Sequence, residues 1–260
     1  MSLTGKSPSE TYKDIAYVDN DNNGVTTSLK QVKTGNGSNT ALQVSDRSLQ
    51  VKSATNNTTA LDVQNASGTS KLLVDTTNNY VKANGVHVNT QYAHFGVNNN
   101  LINWSAISAN THCLVPFNSL QPPEITTIGT GTNPDTSLSV STTANDIVIC
   151  YWFIMDNITI DRVVWWSGAD AATGDTTRCH LMQYDVDSDN SSTSGDLSNG
   201  VVLADGADIT NAGYEQSYYQ QMTIQSADVS AGKVVLFTFR SDSVNSDFSI
   251  NATIKYHITG

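Results

Sequence analysis

The feature that most constrains this chain is a set of very short alternating segments between residues 36 and 110. Thr40-Ala41-Leu42-Gln43-Val44 returns nineteen residues later as Thr59-Ala60-Leu61-Asp62-Val63. Ser48-Leu49-Gln50-Val51, Lys71-Leu72-Leu73-Val74 and Tyr80-Val81-Lys82 share the texture, with Asn, Ser, Thr and Gly between them. A period of two is the period of a strand with one apolar face. Strands of about four residues expose only a narrow apolar edge, and one copy of such a repeat cannot enclose a core. The physical solution is repetition plus association, with several chains burying their stripes along a shared axis. Leu42, Val44, Leu49, Val51, Leu61, Val63, Leu72, Val74 and Val81 are the residues expected to line it. The alternative is an ordinary meander inside a larger β-domain.

Composition supports an all-β chain. Ser, Thr and Asn supply 86 of the 260 residues, while Glu occurs only at Glu10, Glu124 and Glu215. Turn and strand formers therefore dominate and strong helix formers are scarce, which excludes a helical bundle or a coiled coil. Asn36-Gly37 and Asn84-Gly85 are type I′ hairpin signals. No apolar run approaches a membrane span. The opening Met-Ser-Leu-Thr-Gly-Lys has no apolar stretch, so no secretory signal is read from it.

Three regions separate by texture. Residues 1–35 carry a short helical start at 7–15, a short strand at Ala16-Tyr17-Val18 and the turn Asp19-Asn20-Asp21-Asn22-Asn23-Gly24. Residues 36–110 hold the repeats. Residues 111–260 read as one globular β-domain with strands at 113–116, 137–141, 146–154, 158–166, 177–184, 201–203, 217–224, 233–240 and 247–256. So many strands with no helical period between them predict a β-sandwich or jelly roll. Gln121-Pro122-Pro123 is read as part of a linker.

Charge narrows the partners. The net charge is −11, and between residues 83 and 232 only Arg162 and Arg178 are basic. A surface so poor in clustered cations repels a phosphate backbone, so nucleic acid is not an expected partner. The three cysteines, Cys113, Cys150 and Cys179, are too few and too odd in number for a disulfide framework and suit a reducing cytoplasm.

Three stretches resemble virion proteins of bacteriophages, particularly fibre-like structural proteins of marine phages. Thr11-Tyr12-Lys13-Asp14-Ile15 with Asn20-Asp21-Asn22-Asn23-Gly24-Val25 resembles their attachment segment. Ala60-Leu61-Asp62-Val63 through Lys71-Leu72-Leu73-Val74-Asp75-Thr76-Thr77 to Tyr80-Val81 resembles a fibre shaft motif of paired short strands. Asp161-Arg162-Val163-Val164-Trp165 with Ser230-Ala231-Gly232-Lys233-Val234 resembles terminal jelly-roll heads. The resemblance implies a homotrimeric virion protein assembled in the host cytoplasm. Residues 1–35, through Tyr12, Ile15 and Tyr17, would dock on a capsid or tail protein. Residues 36–110 would form a trimeric intertwined β-shaft, and residues 111–260 a head. A shaft this short favours a short fibre, knob or decoration protein.

Two chemistries remain open. Asp19, Asp21 and Asn23 match the first half of a calcium loop, with Lys30 where a bidentate acid is needed. Asp185, Asp187, Asp189 and Asp196 match loop positions 1, 3, 5 and 12, without the glycine at position 6. Trp165, Trp166, Tyr218 and Tyr219 are candidates for a host-glycan platform or a subunit interface. No nucleophile, metalloprotease or nucleotide-binding motif is present, so an enzyme is not expected.

Overall fold

Period-two patterning turns into strands over about half of the described residues. The computed structural model describes residues 15–98, 108–118, 126–141, 144–169, 173–213, 216–244 and 248–259. Tyr12 and the 121–123 linker lie outside these, as does nearly all of the expected helical start at 7–15. The fold is all-β. Ala144–Ile147 and the 3-10 turn Val148–Cys150 are its helical segments among the described residues. The chain divides into two units, Met1–Val88 and Asn89–Gly260.

The first unit holds two antiparallel four-stranded sheets, each a simple meander. One contains β1 (Ala16–Val18), β2 (Lys30–Thr34), β3 (Asn39–Val44) and β4 (Leu49–Val51). The other contains β5 (Leu61–Gln64), β6 (Ser70–Asp75), β7 (Tyr80–Ala83) and β8 (Val86–His87). Asn84 and Gly85 adopt φ of 50° and 81°, the left-handed pair that a I′ turn requires. At Asn36-Gly37 only Gly37 is left-handed, at 84°, and the turn closes through Gly37 N–H to Thr34 O at 2.8 Å. The boundary expected at residue 35 falls inside this hairpin, so the expected attachment segment and the first repeats share one sheet.

The second unit is a sandwich. Its strands are β9 (Thr90–Asn98), β10 (Cys113–Val115), β11 (Trp152–Phe153), β12 (Ile158–Ala169), β13 (Thr176–Val186), β14 (Leu197–Asp205), β15 (Ile209–Thr210), β16 (Gln216–Gln221), β17 (Thr223–Ile224), β18 (Asp228–Val229), β19 (Val234–Ser241) and β20 (Phe248–Ile258). The smaller sheet runs β16-β12-β20-β9, with β18 also on β12. The larger runs β10-β19-β13-β14-β17, with β11 on β19 and β15 on β13. Alternate residues of both sheets, among them Phe95, Trp165, Cys179, Phe237, Phe239 and Ile254, close one core between them. The boundary expected at 110 moves to Val88, because β9 pairs along its length with β20.

A second cluster lies on the other side of the larger sheet, where Leu236, Val234, Met182 and Tyr184 pack under Ile147, Cys150 and Ile128. This explains why β19 reads as an unbroken apolar run, since both of its faces are buried. It also corrects the strand expected at 146–154. Ile147 and Cys150, three residues apart, are buried while Val148 is 61% exposed, so the segment packs as a helical turn with a strand only at Trp152–Phe153. The strand expected at 137–141 is a single bridge, Leu138 to Leu197.

The three cysteines are free and buried. Burial pushes the Cys113 thiol up to about 12, which leaves it an unreactive core side chain. Adjacent residues point oppositely, so His112 and His180 lie across the sheet from Cys113 and Cys179. The two imidazoles meet edge to face, 5.0 Å between centroids. His112 Nε2 lies 3.0 Å from Gly131 O, which also accepts from Arg240 at 3.0 Å. Asp205 accepts a bidentate pair from Arg178, at 3.0 and 2.6 Å. His180 Nε2 lies 3.1 Å from the same carboxylate, at ion-pair distance but without hydrogen-bond geometry. Burial pushes His180 down to about 4; Asp205 opposes the shift, while His112, Arg178 and Arg240 add to it. The unfolded imidazole takes its proton near the ordinary 6.5, and the folded one resists until lower pH. Stability is therefore complete above 6.5 and declines as pH falls toward 4, by up to about 1.4 kcal/mol per pH unit from this group. Urea midpoints recorded from pH 7 to 4.5 should fall along this slope and flatten in His180→Leu. A variant profile as steep as the parent's would place the sensitivity elsewhere.

Candidate functional site

Cross-strand register gathers the expected shaft residues onto two faces. Leu42 opposes Val51 and Val44 opposes Leu49. Leu61 opposes Val74, Val63 opposes Leu72, and Val74 opposes Val81 in turn. Directly opposed residues share a face, so all nine lie on one side of their respective sheets. Ala83 and Val86 extend the second stripe. The reverse of that sheet is largely polar: Lys71 donates to Asn84 at 3.2 Å, and Lys82 sits 4.3 Å from the Tyr80 ring centroid. Asp75 ends β6 and accepts the backbone N–H groups of Thr77 and Asn78 at 2.9 and 2.8 Å. Burial works to raise its pKa, but hydrogen bonds from Asn78, Tyr80 and Thr77 outweigh it and hold the carboxyl below its ordinary value.

This unit has no hydrophobic core among its described residues. Asp75 is the only buried side chain between residues 15 and 88. Leu49 is 67% exposed and Val63 48%. Two single-layer sheets of short strands with partly exposed apolar faces are marginal alone. Ile15 and Tyr17, expected to act in attachment, are also exposed.

A different site lies on the solvent face of the smaller sandwich sheet. Trp166 pairs with Tyr219 on β16 and with Asn251 on β20, and Asn251 pairs with Gly96 on β9. The Trp166 and Tyr219 rings are 5.0 Å apart at 55° and are 49% and 46% exposed. Arg162 donates to the Tyr219 hydroxyl at 2.7 Å. Beside the indole a shallow trough of about 380 Å³ runs over Gly96 and Gly168, rimmed by Ser217, Ser249 and Asn251. Strand alternation divides the four expected aromatics. Trp165 is buried with its Nε1 on Gln220 Oε1 at 3.1 Å. Tyr218 is partly buried, its hydroxyl donating to Asn211 Oδ1 at 3.1 Å and accepting from Ala212 N–H at 2.7 Å. Only Trp166 and Tyr219 form the platform. Gly96, Gly168 and Asn251 were not singled out from the sequence. The available signal was glycine inside a strand, which often marks close approach of another group.

The two acidic loops are organised by internal contacts. Asp19 pairs with Lys33 at 2.7 Å, across the β1–β2 hairpin. The adjoining turn closes through Asn23 N–H to Asn20 O at 2.8 Å and Asn20 Nδ2 to Gly24 O at 2.7 Å, with Asp21 left-handed at φ 46°. Asp185 is engaged by Lys233 and by Asn199 Nδ2, the latter at 2.8 Å. Asp187 accepts from Thr193 at 2.6 Å and from Asp189 N–H at 3.1 Å, while Asp196 accepts Val140 N–H at 2.8 Å. Among the described residues neither loop brings three acidic ligand atoms to a common point.

No family model matches the sequence, and no curated protein matches it. Among solved structures, the chain is similar to the CBM22-1–GH10 modules of Clostridium thermocellum endo-1,4-β-D-xylanase 10B complexed with xylohexaose. Identity is 15%, the match covers 66% of this chain and 26% of that chain, and the TM-score is 0.23. At that score the likeness carries no argument.

The neighbouring tryptophans should respond oppositely to truncation. Trp165→Ala should cost about 3–5 kcal/mol of stability, whereas Trp166→Ala, which loses a half-exposed ring and its pairing with Tyr219, should cost about 0.5–1.5 kcal/mol. Urea unfolding measures both, and equal losses would contradict the division between core and platform.

Proposed function

We propose that this chain is a non-enzymatic structural protein of a bacteriophage virion, a short fibre or decoration protein built as a homotrimer. It assembles in the host cytoplasm and docks on a capsid or tail protein through its N-terminal segment, including Tyr12, Ile15 and Tyr17. The observation that carries the reading is the coreless first unit. Six of its nine aligned apolar residues stay 37–67% exposed and none of the nine is fully buried, and copies of the same stripe would supply the missing cover. Each Leu or Val side chain buried fully between chains adds about 1.5–3 kcal/mol. The trimeric count and the virion setting rest on the resemblance of the attachment, shaft and head segments to phage virion proteins.

A second reading has its own observation. The half-exposed Trp166–Tyr219 pair beside a glycine-floored trough suits the flat face of a sugar ring, which makes host-glycan recognition a function of the second unit.

Light scattering on the full chain should give about three times 27.9 kDa. Leu61→Asp would place an uncompensated charge in every copy of the buried stripe and should yield monomer. The sandwich core should persist in that variant, visible as unchanged near-ultraviolet circular dichroism from Trp165. A stable monomeric parent, or a Leu61→Asp chain that still assembles, would overturn the shaft reading.

A further inference from the structure

We infer that the solvent face of the smaller sandwich sheet binds a saccharide carrying a carboxylate, with the sugar ring on Trp166 and Tyr219 and the carboxylate on Arg162 and Lys255. This rests on the glycan reading of the platform and names its ligand class.

This face carries an electrostatic anomaly. The chain has net charge −11, and Arg162 and Arg178 are its only basic residues between 83 and 232. Arg178 is committed to Asp205 and Asp208. Arg162, by contrast, stands directly opposite Lys255 in the β12–β20 register. Like charges directly opposed across strands destabilise a sheet. Among the described residues no acid forms an ion pair with either cation. The acid next in sequence, Asp161, lies 3.0 Å from His257 Nδ1. A β-bulge between Ile160 and Arg162 sets this arrangement, and bulges re-aim side chains at their strand.

The Arg162 guanidinium turns toward the aromatic pair. It reaches the Tyr219 hydroxyl at 2.7 Å and thereby sits at the edge of the aromatic pair. That single bond uses one of its five N–H donors. The remaining fork fits a carboxylate, with Lys255 as a second point charge. The lining of the trough beyond the indole is uncharged, with Ser217, Asn251 and glycine backbone available to sugar hydroxyls. A ligand that satisfies both ends has a pyranose face and one negative group. A polyphosphate has no ring for the indole, and a neutral glycan leaves the cation pair unanswered. Repulsion from the acidic remainder of the chain fades beyond about 8 Å at physiological ionic strength, so the local pair governs contact.

The test is binding of the full chain, by calorimetry and affinity electrophoresis, to polygalacturonate, alginate and hyaluronan, each beside its carboxyl-reduced neutral form. Dextran sulfate serves as a control for charge alone. At least one uronate polymer should bind roughly tenfold or more tightly than its reduced form, the scale of one charge-assisted contact. Arg162→Gln should erase that difference, and Trp166→Ala should abolish binding to both forms. Lys255→Gln should weaken uronate binding without lowering the melting temperature, which a merely structural lysine would not do. Equal affinity for acidic and reduced forms would overturn the inference and leave the glycan reading standing. Dextran sulfate binding that survives Trp166→Ala and matches the uronates would overturn it in favour of plain anion attraction. No binding to any polymer would overturn both.

Discussion

The structure depends on how many faces of a strand are buried. Val234–Ser241 is covered on both sides, and the sandwich is organised around it. Val235, Phe237 and Phe239 face the core between the sheets, while Val234 and Leu236 face the helical turn and loops on the other side. Strands farther out are buried on one face and alternate accordingly. In the first unit no strand has a fully buried apolar residue among those described. One chain therefore contains a β-domain with its own core and a segment whose apolar surface is laid out but only partly covered.

That contrast has a physical origin in strand length. β12, β13 and β20 contain 12, 11 and 11 residues, long enough to present several inward side chains each and to close a core. β4, β5 and β7 contain three or four. Short strands joined by Asn- and Gly-containing turns make narrow ribbons, and ribbons gain stability by stacking against copies of themselves. Partly exposed apolar stripes mark one unit, and an exposed polar, aromatic sheet face marks the other.

The sandwich face shows the cost of keeping a surface open. Glycines at 96 and 168 give up side-chain packing within regular strands, and Arg162 faces another cation in a chain of opposite overall charge. Neither feature serves the core directly beneath, where Trp165 is fully buried and its indole N–H is satisfied by Gln220. The platform is positioned by that rigid layer, because each outward residue is one step along the strand from a packed inward one.

Much of this was legible in the sequence. Alternation alone placed Leu42, Val44, Leu61, Val63, Leu72 and Val74 on shared faces, since period two does not depend on which strand pairs with which. Asn84-Gly85 announced its turn for an equally local reason. The apolar run at 147–150 misled, because a short apolar run reads alike as strand or helical turn until its burial pattern is known. Non-local pairing was not legible. Assignment of Thr90–Asn98 to the sandwich rests on β20, far along the chain. The pairing of Trp166 with Tyr219 rests on the β12–β16 register, and the opposition of Arg162 to Lys255 on a one-residue bulge. The sequence by itself determined the all-β class, the strand faces and the acidic balance, all set by local periodicity and composition. Only the tertiary structure decided which aromatics reach solvent and which cations meet, because register across distant strands is settled by collective packing of the core.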